Sequence, residues 1–159
     1  MGHRTIVGLY GGKWGRPGVG KTTVAGILAS ERSFVVLSLT SFIAEAIKNS
    51  AGQEHVNRQS IDRVCRMGRK ISEDFWLNLA MQKLGLDANR IVLDDLYFEN
   101  EYRMVKDHNG LIIKVIRPGI DEDDYGFEPD VAIRNDATLD HLKQRVLSAI
   151  DTHLQKKVL

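Results

Sequence analysis

Gly15-Arg16-Pro17-Gly18-Val19-Gly20-Lys21-Thr22 fits the pattern G-x-x-x-x-G-K-[ST], and the residues on either side of it decide the fold. Before it, Thr5–Tyr10 (TIVGLY) is β-branched and apolar and stops at Gly11 and Gly12, which reads as a short buried strand. After it, KTTVAGILASER carries Val24, Ile27 and Leu28 at helical spacing. A glycine loop between a strand and a helix turns successive N–H groups inward at phosphate oxygens, and the helix N-terminus adds its positive dipole end. Gly15, Gly18 and Gly20 let the backbone curl, and Thr23 completes the expected ATP-binding set. Lys21 is expected to reach the β and γ phosphates, and the Thr22 hydroxyl to hold Mg²⁺. Gly11 to Trp14 intervene between the strand and the pattern, so the loop is longer than such loops usually are.

Working outward, residues 34–37 (FVVL) read as a second strand and 41–49 as a helix with Ser41 as N-cap. Two helices are expected over 58–67 and 72–84, parted near Gly68, the second opened by Ser72, Glu73 and Asp74. A strand at 91–93 ends in Asp94 and Asp95. A helix over 99–108 stops at Asn109-Gly110, and LIIKVI at Leu111–Ile116 is a fourth strand. Residues 118–130 form a loop with six acids, 131–133 a short strand, and a last helix starts near Leu139 with Thr138 as cap. Strands alternating with helices predict an α/β fold, a mostly parallel sheet flanked by helices. The expectation is one kinase domain over residues 1–159, with residues 118–130 as a short lid or mobile loop.

Composition narrows the classes. With 22 Lys+Arg against 21 Asp+Glu, the net charge of +1 gives no global attraction to nucleic acid, and no polymeric nucleic-acid partner is expected. At 43% hydrophobic and 27% charged the chain is globular rather than disordered. A single cysteine, Cys65, forbids an intrachain disulfide and suggests a reducing, cytoplasmic setting. The apolar runs are strand-sized and no signal sequence is apparent, so no membrane partner is expected. His3, His55, His108, His141 and His153 show no zinc spacing, and neither a G-x-S-x-G elbow nor an N-K-x-D guanine motif occurs.

Asp94 and Asp95 stand where a phosphate-binding loop needs an acid to orient Mg²⁺ or its waters, though acids also cap helices at such points. Arg58, Arg63, Arg66, Arg69 and Lys70 crowd one segment, either to grip phosphate bidentately or as a solvated basic face. An acceptor phosphate is already ionised and needs cations, whereas a hydroxyl acceptor needs a base.

At Ile91 to Glu101, IVLDDLYFENE resembles the motif apolar-apolar-S-D-V-R-F-x-N-E of the deoxynucleoside monophosphate kinases found in bacteriophages. GKTTVAGILA resembles that family's GKDTVA segment, SFIAEAIK its SFAxPLK segment, and RQSIDRVCRMGRKISEDFW its R-x-x-x-Q…G-R…W stretch. DVAIRNDATLDHL resembles its D-x-x-I-x-N-D-G-T-L-x-x-L ending, and the matches run in order over most of the chain. The resemblance implies a P-loop NTPase fold of the nucleoside monophosphate kinase-like type and Mg²⁺-dependent transfer of the ATP γ-phosphoryl group to a deoxynucleoside 5′-monophosphate in the cytoplasm, that of the host if the chain is phage-encoded. It implies catalytic roles for Lys21, Arg69 and Asp95, with Thr22 and Asp95 toward the metal. Arg58, Arg66, Arg69, Asp95, Asn100, Glu101 and Arg117 fall toward the substrate. Phe42 and Trp76 either wall the base or belong to the core, and Asn100 and Glu101 either meet substrate or cap a helix. Tyr97 stands where the family has arginine, and Thr22 where it has aspartate. Arg117 and Arg134 flank the acidic loop, as closing arginines or beside a solvated segment. A homodimer is compatible with this reading. The alternatives are a dephospho-coenzyme A kinase-like enzyme, for which GLYGG is the kindred context, and a nucleotide-binding module without turnover.

Overall fold

The computed structural model describes residues 3–14, 16, 18–85 and 87–159. Within them the strands are β1 (Thr5–Tyr10), β2 (Val35–Leu37), β3 (Arg90–Leu93), β4 (Leu111–Ile116) and β5 (Val131–Arg134). The helices are α1 (Lys21–Arg32), α2 (Leu39–Ala51), α3 (Arg58–Ile71), α4 (Phe75–Leu84), α5 (Glu99–Asp107) and α6 (Leu139–Lys156), with a 3₁₀ turn at Gln53–His55. The chain forms two compact units, one from residues 1–36 and 89–159, the other from 37–88.

In the first unit the strands lie in the order β2-β3-β1-β4-β5. β1 pairs in parallel with β3 and with β4, and β4 with β5. Every residue of β1 is buried, which is why its sequence is a near-continuous apolar run instead of an alternation. Its two faces still differ: Val7 and Leu9 join a core with Val24 and Leu28 of α1 and with Leu142, Val146 and Ile150 of α6. Gly8 points the other way, where a side chain would run into Leu96 and Val105 of α5. Helices thus cover both faces, as a parallel sheet requires.

The second unit packs α2, α3 and α4 against one another around Ile43, Ile47, Leu77 and Ala80. Two boundaries differ from expectation. Ser38, not Ser41, caps α2, its hydroxyl accepting from the Ser41 N–H, because the cap needs an oxygen three residues ahead of a free amide. Helix α3 does not part at Gly68 but runs on to Ile71. Gly68 is buried against the Trp76 indole and Phe75, so it serves close packing of α3 on α4 and not helix termination. Accordingly α4 opens only at Phe75, with Asp74 at the N-cap and no acid in its first turn.

Candidate functional site

The chain leaves β1 at Tyr10 and re-enters regular structure at Lys21, the first residue of α1. Gly15 lies outside the described residues. Gly20 caps α1 with φ 103°, a left-handed conformation that favours glycine. Lys21 donates from Nζ to the Gly11 carbonyl at 2.6 Å and stands 3.4 Å from Asp95 Oδ1. Its side chain is only 10% exposed, so this charge is held inside the mouth of the loop and not on the surface. Thr22 and Thr23 are exposed on the first turn of α1.

Asp95 follows the end of β3, the neighbour of β1, and parallel register carries it to the loop. Burial pushes its carboxyl above the ordinary aspartate value, and the Lys21 ammonium pulls against that rise. Its Oδ1 is buried beside the Lys21 ammonium, the charge that offsets it among the described residues. The Asp95 carboxylate after β3 and the Thr22 hydroxyl on the first turn of α1 are oxygen donors, the ligand type that suits Mg²⁺.

The residues after Asp95 are fixed by backbone bonds. Leu96 N–H donates to the Leu9 carbonyl at 2.8 Å, while Tyr97 and Phe98 N–H donate to Glu101 Oε2 at 2.8 and 3.0 Å. Glu101 thus caps α5, one of its two expected roles; it and Asn100 are buried. Tyr97 stacks on Trp14.

The stretch over 118–130 is fastened to the loop. Asp123 N–H and the Tyr125 hydroxyl both donate to the Gly12 carbonyl, at 3.1 and 3.0 Å, and Trp14 N–H donates to Asp123 Oδ2 at 3.0 Å. Burial and the Asp95 charge push the Tyr125 phenol upward, which keeps it a donor. Glu122 pairs with Lys114 at 2.7 Å and Asp121 with Lys13 at 3.5 Å. The extra residues of the loop are therefore the docking point of the acidic stretch.

Arg117 donates to the Gly18 carbonyl at 3.0 Å and Asn135 Nδ2 to the Val19 carbonyl at 3.0 Å. Asn135 is not a candidate from sequence; its local signals are its place three residues before Thr138, the cap of α6, and the N of the N-D-x-T-L ending. Arg134 is held on Asp136 together with Arg145.

In the second unit Arg58 and Arg66 are exposed along α3, and Arg69 donates to the Glu73 carbonyl at 3.0 Å. Trp76 donates from its indole to the carbonyls of Val64 and Cys65, at 3.3 and 3.2 Å, and meets Phe42 edge-on at 6.4 Å. The Trp76 bonds tie α4 to α3. A separate groove of about 790 Å³ lies in the first unit between β5 and α6, lined by Val131, Ile133, Arg145, Ala149 and His153 among others, with no residue of the glycine loop.

A parallel sheet, a glycine loop between its central strand and α1, and an acid on the next strand occur here together. The fold is that of a P-loop NTPase. A structure of "a putative kinase" from Chloroflexus aurantiacus shares it at a TM-score of 0.57 and 14% identity, over 96% of this chain and 99% of that one. The Mycobacterium tuberculosis APS kinase CysC in complex with AMPPNP and APS superposes at 0.48 and 14% identity, over 94% and 98%. A Janibacter sugar kinase does so at 0.48 and 14%, over 93% and 94%. The last two are too distant to weigh, and the first bears on the fold alone. No family model matches the chain, and no curated protein does. No helix among the described residues is long and apolar enough to cross a membrane.

Proposed function

We propose that this P-loop protein is a kinase that transfers the γ-phosphoryl group of Mg·ATP to a deoxynucleoside 5′-monophosphate. The observation that carries the reading is the Lys21–Asp95 pair, a cation and a carboxylate 3.4 Å apart at the mouth of the glycine loop. Phosphoryl transfer asks for positioning and charge neutralisation, not covalent chemistry, and this pair supplies both signs at one point.

In this reading the loop amides and Lys21 hold the donor phosphates, while Thr22 and Asp95 would hold Mg²⁺. The metal, when bound, neutralises charge on the transferring group. The monophosphate acceptor is supported by the resemblance over residues 91–101 and by the exposed arginines of α3, with Arg69 the candidate to grip its phosphate. A second reading has its own observation: a buried carboxylate with a raised pKa suits a general base, so a small-molecule hydroxyl acceptor fits Asp95 as well.

ADP release from Mg·ATP is measured with each of the four deoxynucleoside monophosphates, their ribose counterparts and dephospho-coenzyme A, for the native protein and Lys21→Ala. Turnover that needs both a deoxynucleoside monophosphate and Lys21 is expected. ATP binding without any monophosphate-dependent turnover overturns the proposal, and turnover with the hydroxyl acceptor alone moves it to the second reading.

A further inference from the structure

Trp14 and Tyr97 are far apart in sequence, yet their rings stack at 4.3 Å between centroids with 25° between planes. Tyr97 is 38% exposed, so the pair is a surface feature and not a sealed piece of core. Tyr and Trp combine a large apolar ring with a polar tip and are enriched at interfaces, so an exposed stacked pair beside a reaction site is a candidate ligand wall.

Both residues of the pair are braced. The backbone at Tyr97 is pinned by Glu101 Oε2 at 2.8 Å, and that at Trp14 by Asp123 Oδ2 at 3.0 Å. The Tyr97 ring is propped edge-on by Phe98 at 4.8 Å and Tyr125 at 6.3 Å. Such bracing removes conformational freedom before a ligand arrives, so less of its binding energy is lost to ordering the wall.

The position selects the ligand. Tyr97 lies two residues beyond Asp95, whose carboxylate is 3.4 Å from Lys21 Nζ. The lysine of such a loop reaches the β and γ phosphates, so the donor's terminal phosphate comes to this point and its nucleoside lies at the other end. Whatever receives the phosphoryl group approaches on the Asp95 side. We propose that the Trp14–Tyr97 stack is the wall on which the acceptor's base lies, making the acceptor a compound with a planar heteroaromatic group. This rests on the kinase reading above. Stacking uses the π-face that every nucleobase has, so this wall tolerates different bases and discriminates against phosphates without one.

The test varies acceptor and ATP in turn for native protein, Tyr97→Ala and Tyr97→Phe. Loss of one stacking partner is worth about 1–3 kcal/mol per base, so the acceptor KM rises by roughly 5- to 150-fold in Tyr97→Ala. The KM for ATP stays as it is, and Tyr97→Phe, which keeps the ring, stays within a few-fold of native. An unchanged acceptor KM in Tyr97→Ala, or a shift in the KM for ATP instead, overturns the inference. A binding measurement separates this from failure of the kinase reading. Deoxynucleoside monophosphates quench the native indole fluorescence, deoxyribose 5-phosphate does not, and Trp14→Phe, which leaves Trp76 as the remaining indole, loses the quench. Quenching without turnover refutes the kinase and keeps the stacking wall; turnover without quenching does the reverse.

Discussion

Asn135 Nδ2 fills the space into which a side chain on Gly20 would project, 2.6 Å from the position of its Cβ, and donates to the adjacent Val19 carbonyl at 3.0 Å. The cap of α1 is thereby braced from the end of β5. Gly20→Ala meets both the left-handed backbone at φ 103° and this amide, and a non-glycine residue in such a region costs about 1–3 kcal/mol. ATP affinity, measured by calorimetry, is expected to fall about 5- to 150-fold. Gly20→Ala with Asn135→Ala relieves the collision but not the backbone, so a partial recovery is expected; full recovery would mean that the backbone conformation is not needed.

Lys21→Met removes the cation at the loop mouth while leaving an unbranched chain of similar length. Deleting one preorganised charge-stabilising donor costs about 10²–10³ in kcat. ADP release should fall by that factor with the melting temperature close to native. A variant that turns over normally would separate Lys21 from the chemistry.

Asp95 has its carboxyl pushed up by burial and held down by Lys21. Between the ordinary value of 3.8 and the raised one, the folded protein binds more protons than the unfolded chain. Stability contributed by this group therefore declines as pH rises through that window and is fully lost above the folded pKa. Activity that needs the carboxylate runs oppositely, growing as pH rises through the same value. Carbon-detected NMR titration of the Asp95 carboxyl reads the pKa directly, and Lys21→Met should move it further up. A downward move would mean that Lys21 is not the opposing charge.

Gly68→Ala puts a methyl group against the Trp76 indole and within 2.7 Å of Phe75 Cδ1, where α3 meets α4. Overpacking of this kind costs about 1–3 kcal/mol. Thermal unfolding followed by circular dichroism should shift down by roughly 2–4 °C per kcal/mol. No shift would show that the two helices can part without cost.

Much of the fold was legible because its signals are local. The apolar run of β1, the helical spacing after Lys21 and the acids ending β3 each depend on a few neighbouring residues, and the sheet has the strands they announce. Gly68 misled for the opposite reason: a glycine within a helix and one that ends it look alike until the partner, here Trp76 on the next helix, is in view. Tyr125 belongs to no local pattern, and the motif that holds Asn135 does not say what it touches; each acts on the glycine loop from more than a hundred residues away.

The sequence by itself determined that a glycine loop would join a buried strand to a helix, with Lys21 at the helix start and an acid pair at a strand end, since backbone curvature, helix spacing and strand composition are set within a few residues. Only the tertiary structure decided that Asp95 stands 3.4 Å from Lys21, that the acidic stretch docks on Gly12 and Trp14, and that Trp14 stacks on Tyr97. These are relations across parallel strands and loops. Their distances follow from sheet register and packing, which no local run of residues encodes.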